Sequence, residues 1–201
     1  MELLDRLIAD NPVLHCWPDG SPANWSVPPA VLRFIHGCLS PGMHTIETVA
    51  GQTTVVFAIA GTRHTCIAPQ PEHTSRVRDY CAGLGITGDV TFIHESSDTA
   101  LAREGVIPDT LDFVFIDGAH RFPFPCLDWH YTARRLKTGG IVGVDDCDMP
   151  SVKILHDFLC GEDEWELVAL LGRTSFFRKI GEADISLDCR GQKINKVPPF
   201  C

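Results

Sequence analysis

Runs of apolar residues long enough for a strand alternate with amphipathic segments through the middle of the chain. The strand-like runs are, in order, HTIET, RHTCIA, DVTFIH, LDFVFID and GIVGVDD. A helix-like segment lies between each run and the next, and another, PSVKILHDFLCG, follows the fifth run. This alternation predicts a largely parallel sheet with helices packed on both of its faces.

Two further runs, WELVALL and RTSFFRK, lie close together around Gly172. A connection this short predicts an antiparallel hairpin, because parallel neighbours need a crossover of about a dozen residues or more. We therefore expect the sheet to end in a reversed strand.

Proline and glycine mark the ends of several predicted helices. Pro28 and Pro29 are well placed to open a helix over AVLRFIHGCL. The segment FPCLDWHYTARRLK is predicted to be one helix, which Gly139 and Gly140 break before the fifth strand.

Length and composition indicate one globular domain. The chain has 201 residues, of which 44% are hydrophobic and 21% are charged. We assign residues 1–201 to a single domain, with 1–25 as a peripheral N-terminal segment and 181–201 as a C-terminal tail. No apolar run approaches the roughly 20 residues of a membrane helix. The first residues, MELLDRLIAD, do not resemble a secretory signal, so a cytoplasmic protein without a membrane partner is expected.

The net charge of the chain restricts the classes of molecule that it is expected to bind. The net charge is −9 and no basic run is present, which disfavours nucleic acid because phosphate binding needs clustered Lys and Arg. Small molecules are the expected partners. The nine cysteines are scattered without a CxxC pair, so they are expected to be reduced thiols in the core. The sequence does not fix the oligomeric state, and a homodimer stays open.

Three stretches carry a resemblance to a known family. They are TIETVAGQTTVVFA around the first strand, IDGAHRF at the end of the fourth, and RLKTGGIVGVDD around the fifth. Together they resemble the class I S-adenosylmethionine-dependent methyltransferases, and most closely the small O-methyltransferase branch known as methyltransferase 24. The resemblance extends from about Trp25 to Lys179. It implies an α/β fold with one Rossmann-like, doubly wound sheet of about seven strands in the order 3-2-1-4-5-7-6, mostly parallel with an antiparallel C-terminal hairpin strand.

The same resemblance implies S-adenosylmethionine as the cofactor. The positions that it assigns to cofactor contact are Glu47, Gly51, Thr53, Ala68, Ser97 and Asp117. In this family the first turn usually carries a glycine where Val49 stands, and an acid usually binds the ribose where Ala68 stands. Gln70 and Glu72 are the nearest candidates to replace that acid.

Acids end two strands that are neighbours in this family. Asp117 ends the fourth strand, and Asp145 and Asp146 end the fifth. Three carboxylates in one place repel, so either one holds a proton or a cation such as Mg²⁺ or another divalent ion binds to them. Metal-dependent relatives such as catechol O-methyltransferase hold the ion at the matching positions, so Asp117, Asp145 and Asp146 are the expected ligands. His120 stands where such relatives can carry a base, and His120 and Asp117 are the candidate catalytic residues.

These observations predict an S-adenosylmethionine-dependent methyltransferase that methylates a hydroxyl group of a small molecule, with or without a divalent metal. The alternative is a non-catalytic binding or scaffold protein of the same fold, which Val49 and Ala68 favour. A nicotinamide dehydrogenase would need GxGxxG after the first strand and an acid closing the second, and the sequence has neither.

Overall fold

A computed structural model describes residues 2–182 and 191–196 of the chain. The elements in chain order are α1 (Leu3–Asp10), β1 (His15–Cys16), β2 (Pro22–Ala23), α2 (Pro29–Cys38), β3 (His44–Glu47), α3 (Gln52–Ile59), β4 (Arg63–Ile67), α4 (Pro71–Gly83), β5 (Asp89–Ile93), α5 (Ser97–Leu101), β6 (Leu111–Ile116), α6 (Phe124–Ala133), β7 (Leu136–Val144), α7 (Pro150–Gly161), β8 (Trp165–Leu171), β9 (Thr174–Lys179) and a 3₁₀ turn (Lys193–Lys196).

The main sheet has seven strands, and its order confirms the prediction. The strands lie in the order β5-β4-β3-β6-β7-β9-β8, which is 3-2-1-4-5-7-6 when the seven are numbered along the chain. Strands β3 to β7 run parallel to one another, whereas β9 runs antiparallel to both β7 and β8. The hairpin predicted around Gly172 is therefore the reversed edge of the sheet.

Helices cover both faces of this sheet because its central strands are apolar on both sides. In β6, Phe113 and Phe115 pack into one buried cluster with residues of α1, α2 and α3. Val114 and Ile116, which point to the opposite face, pack into a second cluster with residues of α5, α6 and α7. A strand buried on both faces leaves its ends as the places where polar groups can face solvent.

The predicted helix over FPCLDWHYTARRLK is wrong in its last residues. Helix α6 ends at Ala133, and Leu136 already belongs to β7, where it is buried and pairs with Leu111. Gly139 and Gly140 therefore lie inside the strand and do not separate it from the helix. A Cβ at Gly140 would lie 2.6 Å from Leu136 Cδ1, so the buried position of Leu136 requires a residue without a side chain there.

The N-terminal segment, which the sequence analysis treated as peripheral, packs against the body of the domain. Leu4 and Leu7 of α1 are buried in the cluster that also contains residues of α3. The small β1–β2 hairpin is tied to α4, because Arg76 Nη1 donates to His15 O at 2.8 Å and the Cys16 backbone N–H donates to His73 Nε2 at 3.2 Å. The hairpin therefore has a fixed position beside the ends of the central strands.

Two expectations drawn from the composition concern membrane-spanning helices and the state of the cysteines. Within residues 2–182 and 191–196, no helix combines the length and the apolar character needed to cross a membrane. The seven cysteines in the described part of the chain are free thiols.

Replacing Lys179 by Met should destabilise the fold. Lys179 is buried in β9, and its Nζ donates to Leu136 O at 2.8 Å and to Ala133 O at 3.3 Å, which holds the end of α6 to the start of β7. Loss of these charged hydrogen bonds should lower the free energy of unfolding by about 2 to 3 kcal/mol, measured by urea denaturation.

The control is Arg178→Met, one residue earlier on the same strand. Arg178 is exposed and pairs with exposed Glu166, so its replacement should change the free energy of unfolding by less than about 1 kcal/mol. Equal losses in the two variants would contradict the role given to Lys179.

Candidate functional site

A cleft of about 510 Å³ opens at the carboxyl ends of the parallel strands. Its floor consists of the residues that follow five strands: Thr48, Val49 and Ala50 after β3, Ala68, Pro69 and Gln70 at and after β4, Ser96 and Ser97 after β5, Asp117, Gly118, Ala119 and His120 after β6, and Asp145 and Asp146 after β7. Its walls include His15, Trp25 and Ser26 from the N-terminal segment and Arg173 from the turn between β8 and β9. The volume is in the range of small-molecule sites.

Three ionisable side chains meet where the cleft reaches β6 and β7. His120 Nε2 lies 3.5 Å from Asp117 Oδ1 and 3.4 Å from Asp146 Oδ2. Each of the three can offer one ligand atom, and these atoms all lie within 4.8 Å of one another. We call Asp117, His120 and Asp146 the acid–histidine cluster.

The cluster can hold a proton near neutral pH. Burial raises the pKa of Asp117 to about 7, and the Asp145 and Asp146 carboxylates contribute to the rise, although the His120 imidazole opposes it. The pKa of His120 is also raised above its ordinary value, first because of its contact with the Asp117 carboxylate. Because the two groups are in contact, they titrate as a coupled pair.

Asp145 and Asp146 are consecutive but have different partners. Asp145 accepts a hydrogen bond from Thr174 Oγ1 in β9, whereas Asp146 Oδ1 lies 2.7 Å from Arg173 Nε. Asp146 has a left-handed backbone with φ of 52°, a conformation that Asp adopts more readily than most residues. The three predicted metal ligands thus reach the same edge of the sheet, but His120 and not Asp145 completes the cluster of potential ligands.

The donor set of the acid–histidine cluster fits a divalent cation. Two carboxylates and an imidazole are ligands of the kind that Mn²⁺ and Zn²⁺ accept. His120 Nε2 is buried and has no partner with hydrogen-bond geometry among the described residues. Arg173 also places a positive charge on Asp146, so the protein itself neutralises part of the cluster.

Glu47 is completely buried and is not among the residues that line the cleft. Its carboxylate accepts hydrogen bonds from Thr53 Oγ1 at 2.7 Å and from Thr54 Oγ1, and it lies 3.0 Å from His64 Nε2. The structure therefore brings the predicted cofactor residues Glu47 and Thr53 into contact with each other. Glu47 stabilises the first turn of α3 through these hydrogen bonds, from a buried position outside the cleft.

His64 connects Glu47 to a chain of hydrogen-bonded hydroxyl groups. Thr62 Oγ1 donates to Phe57 O, so Thr62 accepts the proton of Thr45 Oγ1. Thr45 Oγ1 in turn accepts from His64 Nδ1, 2.8 Å away, while His64 Nε2 lies 3.0 Å from Glu47 Oε1. His64 therefore helps to fix the position of the Glu47 side chain.

The N-terminal segment covers the turn after β3. The His15 ring lies directly on Gly51, where a Cβ would be 2.9 Å from His15 Cε1. His15, Gly51, Thr53 and Asp117 all line a small cavity beside the main cleft. His15 is buried and its Nε2 has no hydrogen-bond partner among the described residues. Burial, together with the neighbouring His73, lowers the pKa of His15 to about 4, so the ring is neutral at pH 7.

The half of the cleft at the ends of β4 and β5 is less polar than the half that contains the acid–histidine cluster. Ile67, Ala68 and Pro69 line it from the end of β4, and Ser97 lines it from the start of α5. Of the two candidates to replace the missing acid, Gln70 lines the cleft, whereas Glu72 does not and is exposed.

Two site residues, His15 and Arg173, are not predicted by the sequence pattern. Neither lies in a motif: His15 belongs to a two-residue strand, and Arg173 follows Gly172 in a hairpin turn. The only sequence signal for Arg173 was the predicted hairpin next to the fifth strand. His15 had no such signal.

Comparison with known proteins identifies a family over about half of the chain. Residues 47–147 match the family described as methyltransferase domain. This range contains the turn after β3 and the ends of β4 to β7, and thus most of the cleft floor. No curated protein matches the chain.

Solved structures with similar folds include methyltransferases of several kinds. A putative O-methyltransferase from Klebsiella pneumoniae has a TM-score of 0.68 and 16% identity, with 89% of this chain and 90% of that chain covered. The O-methyltransferase TomG from Streptomyces achromogenes, solved with S-adenosylmethionine, has a TM-score of 0.67 and 17% identity, covering 88% and 91%. An rRNA methylase from Streptococcus thermophilus has a TM-score of 0.62 and 13% identity, covering 79% and 100%. At these identities the likeness shows the fold.

Replacing Asp117 by Asn should stabilise the protein increasingly as the pH rises from 4 to 7. The pKa of Asp117 rises on folding from 3.8 to about 7, because the charged form is disfavoured in the folded state. The wild-type protein therefore loses stability as the pH rises through that interval, and the variant does not. At pH 8 the variant should be more stable by about 4 kcal/mol, and at pH 4 the gain should nearly vanish. Urea denaturation at several pH values measures it.

Asp112→Asn, on the same strand, is the matched control with the opposite sign. Asp112 pairs with Lys137, and its pKa is lowered on folding by Lys137 and the His44 backbone N–H, which outweigh its burial. That variant should lose stability at neutral pH. A loss of stability in Asp117→Asn at pH 8 would show that Asp117 is not held in a disfavoured charged state.

Proposed function

The chain belongs to the methyltransferase domain family, the class I S-adenosylmethionine-dependent methyltransferases, and on this basis we propose that it methylates a hydroxyl oxygen of a small-molecule acceptor. The observation that carries the proposal is the single cleft that joins the turn after β3 to the acid–histidine cluster. Cofactor and acceptor can therefore meet at the ends of β3, β6 and β7.

The residues of the cleft fit S-adenosylmethionine at both of its ends. We assign the nucleoside to the half that Ala68, Gln70 and Ser97 line. We assign the amino-acid end to the part of the cleft that His15, Val49, Ala50 and Asp117 line, next to the start of α3, where the first N–H groups of the helix lack partners within it. His15 Nε2 is available there to donate to a carboxylate, which would compensate for its burial.

His120 is the proposed general base. Its ring faces the cleft between the Asp117 and Asp146 carboxylates, which stabilise the imidazolium after proton transfer. S-Adenosylmethionine, when bound, supplies an electrophilic methyl group on sulfur. The His120 imidazole would take the hydroxyl proton of the acceptor, and the cofactor would supply its methyl group to the acceptor oxygen and leave as a neutral thioether.

A second arrangement uses the same side chains to hold a divalent ion. Asp117, Asp146 and His120 would be the ligands, and the ion would lower the pKa of the acceptor hydroxyl. In that arrangement His120 would serve as a ligand and not as the base, so the two arrangements differ in whether transfer requires a metal. The pairing of Asp146 with Arg173 favours the metal-free arrangement, because it places a fixed cation on one of the proposed ligands.

A small aromatic hydroxyl compound is the acceptor class that we propose. Two of the similar folds are named O-methyltransferases, which favours oxygen as the accepting atom. Trp25 lines the cleft and is 45% exposed, so one face of its ring is available to a planar acceptor. Although an rRNA methylase shares the fold, a net charge of −9 disfavours an RNA substrate.

Isothermal titration with S-adenosylhomocysteine tests the cofactor site. The wild-type protein should bind it in the micromolar range, and His15→Ala should weaken binding by about tenfold because a donor to the ligand carboxylate is lost. His130→Ala, an exposed histidine on α6, is the control and should bind like the wild type. No binding by the wild type at millimolar ligand would refute the methyltransferase proposal and support the scaffold alternative.

Methyl transfer from S-[methyl-³H]adenosylmethionine to a panel of catechols, phenols and hydroxybenzoates tests the base. Transfer should persist in EDTA, and His120→Ala should lower kcat by about 10²- to 10⁴-fold while binding of S-adenosylhomocysteine is unchanged. His130→Ala again serves as the control. If EDTA abolishes transfer and Mn²⁺ or Mg²⁺ restores it, the metal arrangement is correct and the base assignment is wrong.

A further inference from the structure

Helix α6 carries a buried acid that the proposed mechanism does not use. Asp128 has no exposed surface, and neither of its carboxylate oxygens has a partner with good hydrogen-bond geometry among the described residues. Three other buried acids differ in this respect, because Glu47, Asp145 and Glu162 accept hydrogen bonds from threonine hydroxyls or backbone N–H groups. A buried carboxylate without partners lowers the stability of a fold, so its presence needs a reason.

The surroundings of Asp128 place it directly behind the cleft floor. Burial raises the pKa of Asp128 to about 6, while the hydroxyl groups of Ser97 and Thr48 lower it, which puts both hydroxyls next to the carboxylate. Both residues also line the cleft. Asp128 therefore lies behind two cleft residues, of which Thr48 follows β3 and Ser97 follows β5.

Thr48 connects this carboxylate to a third loop. The Asp117 backbone N–H points to Thr48 Oγ1 at 3.4 Å. A Cβ at Gly118 would lie 2.5 Å from Thr48 O, so the loops after β3 and β6 are in close contact. The loops after β3, β5 and β6 thus converge in front of Asp128.

We propose that Asp128 is a positioning residue of the cofactor cleft: it accepts the hydroxyl protons of Thr48 and Ser97 when a ligand is bound, and so fixes the loops after β3, β5 and β6 relative to one another. Hydrogen bonds of this kind are often long in a ligand-free site and shorten in the complex. With its proton directed at Asp128, the Ser97 hydroxyl presents its lone pairs to the cleft. It can then accept a hydrogen bond from an N–H or O–H group of the ligand.

This inference extends the proposed function to a residue that does not touch the ligand. An acid with a purely structural role should stabilise the fold when present. Asp128 should do the opposite, because without partners its charged form is disfavoured in the folded state. Higher stability together with weaker ligand binding on removal of the carboxylate is therefore the signature of the proposed role.

The test compares Asp128→Asn with the wild type. The variant should melt about 4 °C higher in ligand-free buffer, and it should bind S-adenosylhomocysteine about tenfold more weakly by calorimetry. The control is Glu162→Gln, a buried acid that accepts N–H groups of Lys193 and Ile194 away from the cleft. It should melt at a lower temperature with unchanged affinity. Unchanged affinity in Asp128→Asn would overturn the proposal.

A double-mutant cycle with Ser97→Ala tests the route through the hydroxyl. If Asp128 acts through Ser97, the double variant should bind S-adenosylhomocysteine about as weakly as Asp128→Asn alone, because the second change removes an interaction already lost. Multiplied losses in affinity would show that the two residues act independently, against the proposal.

Hydrogen–deuterium exchange gives a second readout, at the loops themselves. With saturating S-adenosylhomocysteine, peptides that contain the Thr48 and Asp117 amides should exchange faster in Asp128→Asn than in the wild type, while peptides of β8 should not change. Equal exchange at those loops in the two complexes would refute the positioning role. If the wild-type protein does not bind S-adenosylhomocysteine, the proposed function fails, whereas equal affinity and equal exchange in the wild type and the variant refute only the role of Asp128.

Discussion

The parallel pairing of β3, β6 and β7 is the constraint on which the site depends. Glu47 pairs with Phe115, and Ile116 pairs with Val144, so the three strands end at nearly the same level. The residues that follow them, Thr48, Asp117 and Asp145, must then lie side by side. Because both faces of these strands are buried under helices, the strand ends are where polar groups can reach solvent, and the sheet itself concentrates them there.

The acids gathered in this way need compensating charges, and these come from distant parts of the chain. His120 is local to Asp117, but Arg173 comes from the C-terminal hairpin. His64, one strand away, lies 3.0 Å from the buried Glu47 carboxylate. The antiparallel edge of the sheet therefore has an electrostatic role, because pairing of β9 with β7 brings the turn that contains Arg173 next to Asp146.

The alternation of strands and helices and the C-terminal hairpin could be predicted from the sequence pattern, and the strand order followed from the resemblance to the methyltransferase family. The end of α6 could not be predicted, because Leu136 is placed in β7 by its pairing with Leu111 and by the hydrogen bond from Lys179 to its carbonyl. Both partners are distant in sequence. The direction of the Glu47 side chain was also hidden, as it depends on His64. The proposed roles of His15, Arg173 and Asp128 could not be predicted either, because they depend on contacts with residues that are distant in sequence.

The distribution of tryptophan offers an optical reporter of the cleft. Trp17 and Trp25 lie with their ring centroids 5.0 Å apart and are 50% and 45% exposed, whereas Trp129 and Trp165 pack together away from the cleft. The intrinsic fluorescence should therefore contain a red-shifted component from the first pair and a blue-shifted component from the second. A molecule that enters beside Trp25 changes the first component and leaves the second as an internal reference.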